Sequence, residues 1–174
     1  MRKVVEGWSG RYYEDFEIGD IYRHALGKTV TEADNELFTM LTLNTQQSHF
    51  NVEYARRLEF GKILVNSTFT LALITGISVH DVSHNVVANL GWDDVRLPNP
   101  VFIGDTLWAE RLVLSKRESR SRPNAGIVVV KTRGLNQSGN ECISFKRTIL
   151  VHTRSAASSL SAFPEPARPL TEED

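Results

Sequence analysis

The stretch from Ser67 to Val79 constrains this chain more than any other. On a helix, Phe69, Leu71, Ala72, Leu73, Ile74 and Ile77 fall on every side of the axis, and a helix that is apolar all round belongs in an interior. Asn66 or Ser67 is its natural start. Beyond residue 85 the chain changes period. Ile127, Val129, Lys131 and Arg133 alternate with Val128, Val130 and Thr132, and Ile143, Phe145, Arg147, Ile149 and Val151 alternate with Ser144, Lys146 and Thr148. Thr106 to Lys116, Ala88 to Leu97 and Ile21 to Val30 read as further strands, and Gln137-Ser138-Gly139-Asn140 supplies a hairpin turn before the last one. The expected class is α+β, an antiparallel β-sheet wrapped around one long buried helix. One sheet cannot cover every side of such a helix. A second sheet from another subunit is therefore expected, which makes the chain a homodimer or part of a higher assembly of dimers.

Two shorter helices are expected ahead of the apolar one. Thr31 caps the first, with Glu32 and Asp34 in the turn where acids suit the helix dipole. This helix runs to about Leu43 and should bury Leu37, Phe38, Leu41 and Ala33. A second starts after Asn51 and covers Val52 to Leu58. At the other end, Ser155 to Asp174 holds three of the six Pro and four Ser and closes on Glu172-Glu173-Asp174. Too few apolar groups are present there to offset ordering entropy. The expected division is one domain over 1–152 and a disordered tail over 153–174.

Charge and cysteine content remove several function classes. Lys plus Arg is 20 and Asp plus Glu is 21, for a net charge of −1, so nothing in the overall field draws nucleic acid or anionic lipid. Any basic site is local, and Lys116-Arg117-Glu118-Ser119-Arg120-Ser121-Arg122-Pro123 is the evident one. Its arginines suit phosphate, while a solvated edge strand would look the same. Cys142 is the single cysteine, which leaves no internal disulfide and no cysteine zinc cage; a buried place in a strand is expected for it. His80 and His84 stand at i and i+4 but lack a third ligand, so no metal is expected. No nicotinamide or flavin motif appears. The first eight residues lack a signal peptide's apolar run, no stretch reaches the ~20 residues that span a bilayer, and a cytoplasmic protein is expected.

The segment with most chemical content is Leu43-Asn44-Thr45-Gln46-Gln47-Ser48-His49-Phe50-Asn51. It lies between the first two helices, in the kind of loop that carries reactive groups. Histidine is the usual acid–base side chain near neutral pH. By itself, a histidine among polar loop residues is more often a surface or hydrogen-bonded structural group.

Over roughly residues 10 to 152 the chain resembles the MaoC-like dehydratase family of hot-dog folds, which includes (R)-specific enoyl-CoA hydratases. The resemblance is carried by Tyr13-Glu14-Asp15-Phe16 with Gly19, Thr29-Val30-Thr31-Glu32-Ala33-Asp34, Glu59-Phe60-Gly61-Lys62, Pro100-Val101-Phe102-Ile103-Gly104-Asp105-Thr106, Ser121-Arg122-Pro123 and Asn136-Gln137-Ser138-Gly139. Asn66-Ser67-Thr68-Phe69-Thr70-Leu71-Ala72-Leu73 and Ala88-Asn89-Leu90-Gly91-Trp92-Asp93-Asp94-Val95-Arg96-Leu97-Pro98 resemble a branch associated with mesaconyl-CoA, itaconyl-CoA and β-methylmalyl-CoA chemistry.

The resemblance implies reversible hydration of an enoyl-CoA, with CoA entering as part of the substrate and no separate cofactor. The family pattern Asp-x-Asn-Pro-x-His reads Asn44-Thr45-Gln46-Gln47-Ser48-His49 here. His49 is kept as the acid–base residue. The family's catalytic Asp is Asn44, whose amide can orient a water but cannot take its proton, and the family's Asn is Gln46, a substrate-binding candidate. In the family a His-Gly pair stands where this chain has Asn66-Ser67, and the Gly N–H holds the thioester oxygen. By position, the Ser67 N–H takes that role, with Asn66 beside it. Arg120 and Arg122 are the CoA-binding candidates by the same resemblance. The Asn44 exchange leaves two alternatives open: an acyl-CoA thioesterase, or a non-catalytic acyl-CoA-binding hot-dog protein.

Overall fold

The structure, a computed structural model, describes residues 7–157, 164, 166–168 and 170. Six strands form one antiparallel sheet: β1 (Ile21–Arg23), β2 (Lys28–Thr29), β3 (Val86–Arg96), β4 (Thr106–Glu118), β5 (Ala125–Leu135) and β6 (Glu141–His152). Their order is β1-β4-β5-β6-β3, with β2 also on β4. The expected hairpin turn is present. The Asn136 side-chain oxygen accepts from the N–H groups of Ser138 and Asn140, and Gly139 takes a φ of 77°, a conformation open to glycine at no steric cost.

Alternation along β4, β5 and β6 matches the period of two in the sequence. Leu107, Val113, Val128, Val130, Ile143, Phe145 and Ile149 point to one face and are buried. On that face lies α3 (Ser67–Ile77), seated through Thr70, Ile74 and Ile77. Gly134 sets how closely it sits, because a Cβ there would stand 2.7 Å from the Ile74 side chain. Cys142 is buried as expected, and burial raises its thiol pKa. Beyond Ile77 the chain makes a π-helical turn over Val79–Ser83.

The helix α1 (Glu32–Leu41) starts at Thr31, whose hydroxyl accepts from the Asp34 N–H while the Asp34 carboxylate accepts from the Thr31 N–H. The reciprocal capping box accounts for the sharp start. Its buried face differs from the expected one. Asn35 and Thr39 are buried, Phe38 is half-buried against Phe69, and Leu37 and Leu41 are 63% and 74% exposed; Ala33 is exposed too. Polar satisfaction set the rotation of the helix: Asn35 and Thr39 meet partners inside, and the leucines are left uncovered within one chain. The helix α2 (Val52–Ala55) is shorter than expected and is capped by the Asn51 side chain. The outer side of α3 is left uncovered within one chain, where Ala72 and Gly76 are exposed; this is the side for which a second subunit's sheet is expected.

Two apolar clusters share the inner face. One gathers α3 with Val30, Val101, Ile143 and Phe145, and the other joins Phe16, Val82, Val113 and Ile149. On the same face is a polar island of Arg111, Thr132 and Arg147, all buried. Of the residues expected in a disordered tail, 153–157 are described. Arg154–Ala156 form a 3-10 turn, the Arg154 N–H donates to the Glu14 carboxylate, and Ala156 is buried. Most of the stretch over 158–174 lies outside the described residues. Among the described residues no helix is long and apolar enough to cross a membrane.

Candidate active site

The loop after α1 is shaped by its own side chains. Leu43 adopts a φ of 55°, a left-handed conformation that costs a side-chain-bearing residue roughly 1–2 kcal/mol and turns the chain out of the helix. The Asn44 N–H returns to the Thr39 carbonyl at 3.0 Å. The Asn44 side-chain oxygen then accepts from the Gln46 N–H at 3.1 Å, an Asx turn of the type this residue favours. That engagement occupies the oxygen of the Asn44 amide within the loop. Gln46 is exposed, and its carbonyl receives the His49 N–H at 3.2 Å.

His49 is held from both ends. Its Nδ1 lies 2.8 Å from the Leu64 carbonyl. A carbonyl only accepts, so Nδ1 carries the hydrogen, and in the neutral ring Nε2 presents the lone pair. The imidazole is thereby set in the tautomer a general base needs. The His49 carbonyl in turn accepts from the Asn35 side-chain amide at 2.7 Å. The other end of the same carboxamide, Oδ1, accepts from the Asn66 N–H at 2.8 Å.

Asn66 is the N-cap of α3. Its side-chain oxygen accepts from the Thr68 N–H at 3.0 Å and the Thr68 hydroxyl at 2.7 Å, while its amide donates to the Thr39 hydroxyl at 3.2 Å. Ser67 is the first residue of the helix, and the N–H at that position is one the helix itself leaves unpaired. It stands at the positive end of the dipole, where negative charge is favoured. Ser67 lines a hollow of about 300 Å³ with Phe60, Leu64, Thr70 and Val101. Leu64 belongs to this wall and to a neighbouring hollow with Ser48 and Lys62. The residue that fixes the His49 ring is thus also a wall of the cavity at the α3 N-terminus.

Asn44, Gln46 and His49 therefore share one loop, and Asn35 ties that loop to Asn66 and Ser67. Arg120 and Arg122 stand apart, in the connection between β4 and β5. Both are exposed. Arg122 lines a separate hollow of about 320 Å³ with Val87, Asn124 and His152, and Arg120 is not among its walls. Lys116, first of the basic run, turns back to the fold and donates to the Phe16 carbonyl. His80 packs against Trp8. No group of three or more metal-ligating side chains gathers among the described residues. The sequence reading missed Asn35. Its signal was faint but physical: Asn35 and Thr39 are polar residues one turn apart in a helix interior, where asparagine is a poor helix former.

The family model described as mesaconyl-CoA hydratase matches residues 4–163. A mesaconyl-CoA hydratase of Cereibacter sphaeroides is 36% identical over 154 residues, covering 88% of this chain and 45% of that protein. The chain thus spans about half the length of the curated relatives it matches. A MaoC-like dehydratase from Rhodospirillum rubrum superposes with a TM-score of 0.73 at 27% identity, covering 83% of this chain and 98% of that one. A Mycobacterium tuberculosis protein with a double hotdog fold gives a TM-score of 0.77 at 17% identity, over 91% of this chain and 47% of that one. The antiparallel sheet around α3 is the hot-dog fold, and the chain belongs to the mesaconyl-CoA hydratase family.

Proposed function

We propose that this chain reversibly adds water to the double bond of a 2-enoyl-CoA, as a hydro-lyase. His49 Nε2 takes a proton from water as the water oxygen bonds to the β-carbon. Charge then gathers on the thioester oxygen, where the Ser67 N–H at the α3 N-terminus receives it. The imidazolium returns the proton to the α-carbon, and the sum is one water added. No net oxidation or reduction occurs, so the reading calls on no cofactor beyond the CoA carried by the substrate. Asn44 positions the water or the substrate through its amide NH2, its oxygen being engaged by Gln46. Gln46 and Asn66 are assigned to the acyl end of the substrate. A branched C4-dicarboxylic acyl group is the proposed substrate: mesaconyl by analogy with the hydratase of Cereibacter sphaeroides, β-methylmalyl by analogy with the dehydratase of Chloroflexus aurantiacus, and itaconyl by the sequence resemblance. The observation that carries the reading is the Nδ1 bond of His49 to Leu64, which leaves a basic nitrogen on a ring anchored to the wall of the Ser67 cavity.

Arg120 and Arg122 are assigned to the CoA phosphates, supported by the hollow beside Arg122. A homodimer fits the same reading. Among the described residues β3 pairs only with β6. Leu90 and Trp92 along it are 51% and 44% exposed, and Leu97 just past its end is 50% exposed. An unpaired edge of this kind invites another strand.

The test is a panel of enoyl-CoA and hydroxyacyl-CoA esters followed by mass spectrometry. Gain or loss of one water, with no free thiol, supports hydration. Release of free CoA would make the protein a thioesterase. Thermal stabilisation by the esters without turnover would make it a binding protein.

A further inference from the structure

We infer that Asn35 is the positioning residue of this site, a buried strut whose two polar ends fix the His49 loop relative to the N-terminus of α3. The inference rests on the hydratase reading above. Asn35 is 1% exposed. Its amide donates to the His49 carbonyl at 2.7 Å and its oxygen accepts from the Asn66 N–H at 2.8 Å. Both contacts are to backbone, so the carboxamide grips the chain on either side rather than a side chain free to rotate. His49 handles the proton and Ser67, next to Asn66, holds the oxyanion. The Asn35 side chain is therefore interposed between the two halves of the chemistry.

The chemistry of the residue fits this task closely. A bridge between a carbonyl and an N–H needs one donor and one acceptor at opposite ends of a short rigid group, which a carboxamide supplies. Leucine of similar size supplies neither. Aspartate supplies the acceptor toward Asn66 but turns a second oxygen on the His49 carbonyl. Only when protonated does that carboxyl regain a donor, and burial raises the pKa at which this happens. Displacement of a reacting group by about 1 Å costs on the order of 100-fold in rate.

The experiment compares wild type, Asn35→Asp, Asn35→Leu and Asn85→Ala in hydration of one enoyl-CoA. Asn85 is the control, a buried carboxamide that holds the Ser9 and Arg11 carbonyls away from the site. At pH 8, Asn35→Asp is expected to lose roughly 10- to 100-fold in kcat while KM changes by less than about threefold. As pH falls its kcat relative to that of wild type at the same pH should recover, because the protonated carboxyl regains the donor. Asn85→Ala should lower the melting temperature and keep kcat. Should Asn35→Leu fail to fold, Asn35→Asp decides the matter. The inference is overturned if Asn35→Asp keeps wild-type kcat well below its melting temperature, if its loss does not recover in acid, or if Asn85→Ala loses kcat equally. Wild type that turns over none of the esters overturns the hydratase reading itself, a result distinct from any of these.

Discussion

The Nδ1 of His49 and the main-chain carbonyl of Leu64 stand 2.8 Å apart. This single contact decides which ring nitrogen is available for chemistry. Leu64 is itself pinned, its N–H donating to the Ser48 carbonyl at 3.1 Å. The stretch 63–65 and the His49 loop are therefore stitched together by two bonds, and the ring has a rigid reference.

His49→Ala should abolish hydration. Loss of a general acid–base group costs about 10²–10⁴-fold, and the proposed mechanism assigns the proton to His49. Circular dichroism should be unchanged, since the ring makes one hydrogen bond to a carbonyl on the cavity wall. Turnover within tenfold of wild type in a folded variant would remove His49 from the mechanism.

Asn44→Asp addresses the departure from the family pattern. The Asx turn needs only an oxygen at the side-chain tip, and aspartate keeps it. The second oxygen replaces the NH2 and supplies a base. Steady-state kinetics should give a kcat at or above that of the parent. A collapse in kcat would show that the amide hydrogens are required where they are.

How far the sequence led can be judged at particular residues. The strands over 106–118, 125–135 and 141–152 were legible because β-branched and aromatic residues alternate with polar ones, a period that local sterics enforce. The starts of α1 and α3 were legible from Thr31 and Asn66, whose short polar side chains cap in preference to continuing a helix. The rotation of α1 was not. An amphipathic pattern puts Leu37 and Leu41 inside, whereas Asn35 and Thr39 face inward, and only tertiary contacts with His49 and Asn66 explain that. The motif and its resemblance name Asn44, Gln46 and His49 as candidates. Their mutual placement was not legible, because the links run through Leu64 and Asn66 main-chain atoms that leave no mark on composition.

Arg111 carries a stability prediction. It is 1% exposed, and among the described residues its Nε, Nη1 and Nη2 have no hydrogen-bond partner. Burial, with the Arg147 charge nearby, holds its pKa well below the usual guanidinium value. A buried charge without a partner costs several kcal/mol, and even buried ion pairs can be replaced by well-packed apolar residues with no loss or with a gain of about 1–4 kcal/mol. Arg111→Met keeps much of the volume and removes the charge. Urea unfolding should give a higher midpoint at an unchanged slope. A lower midpoint would show that the guanidinium makes a compensating interaction.

Acid should erode stability in two steps, and the sign of each is set by the folded pKa. His24 is 5% exposed, with Nδ1 2.9 Å from the Asp81 carboxylate. Burial lowers its pKa; the Asp81 hydrogen bond pulls the other way, and the charges of Arg111 and Arg11 leave the balance low. The unfolded chain then binds a proton before the folded one does. Stability from neutral His24 is complete above the unfolded value near 6.5 and is lost as pH falls below it. Asp34 acts lower. Hydrogen bonds from the Lys28 ammonium and from the Thr31 hydroxyl and N–H bring its pKa to about 2. Its contribution is present above the unfolded carboxylate value near 3.8 and is lost between there and about 2. Thermal melts across a pH range from about 8 to about 2 should show both limbs. His24→Gln should flatten the first, and Asp34→Asn should leave the first and shrink the second, to which Asp81 and Glu110, whose pKa values are also lowered, contribute. A single acid transition insensitive to His24→Gln would mean that this buried imidazole is not held neutral in the fold.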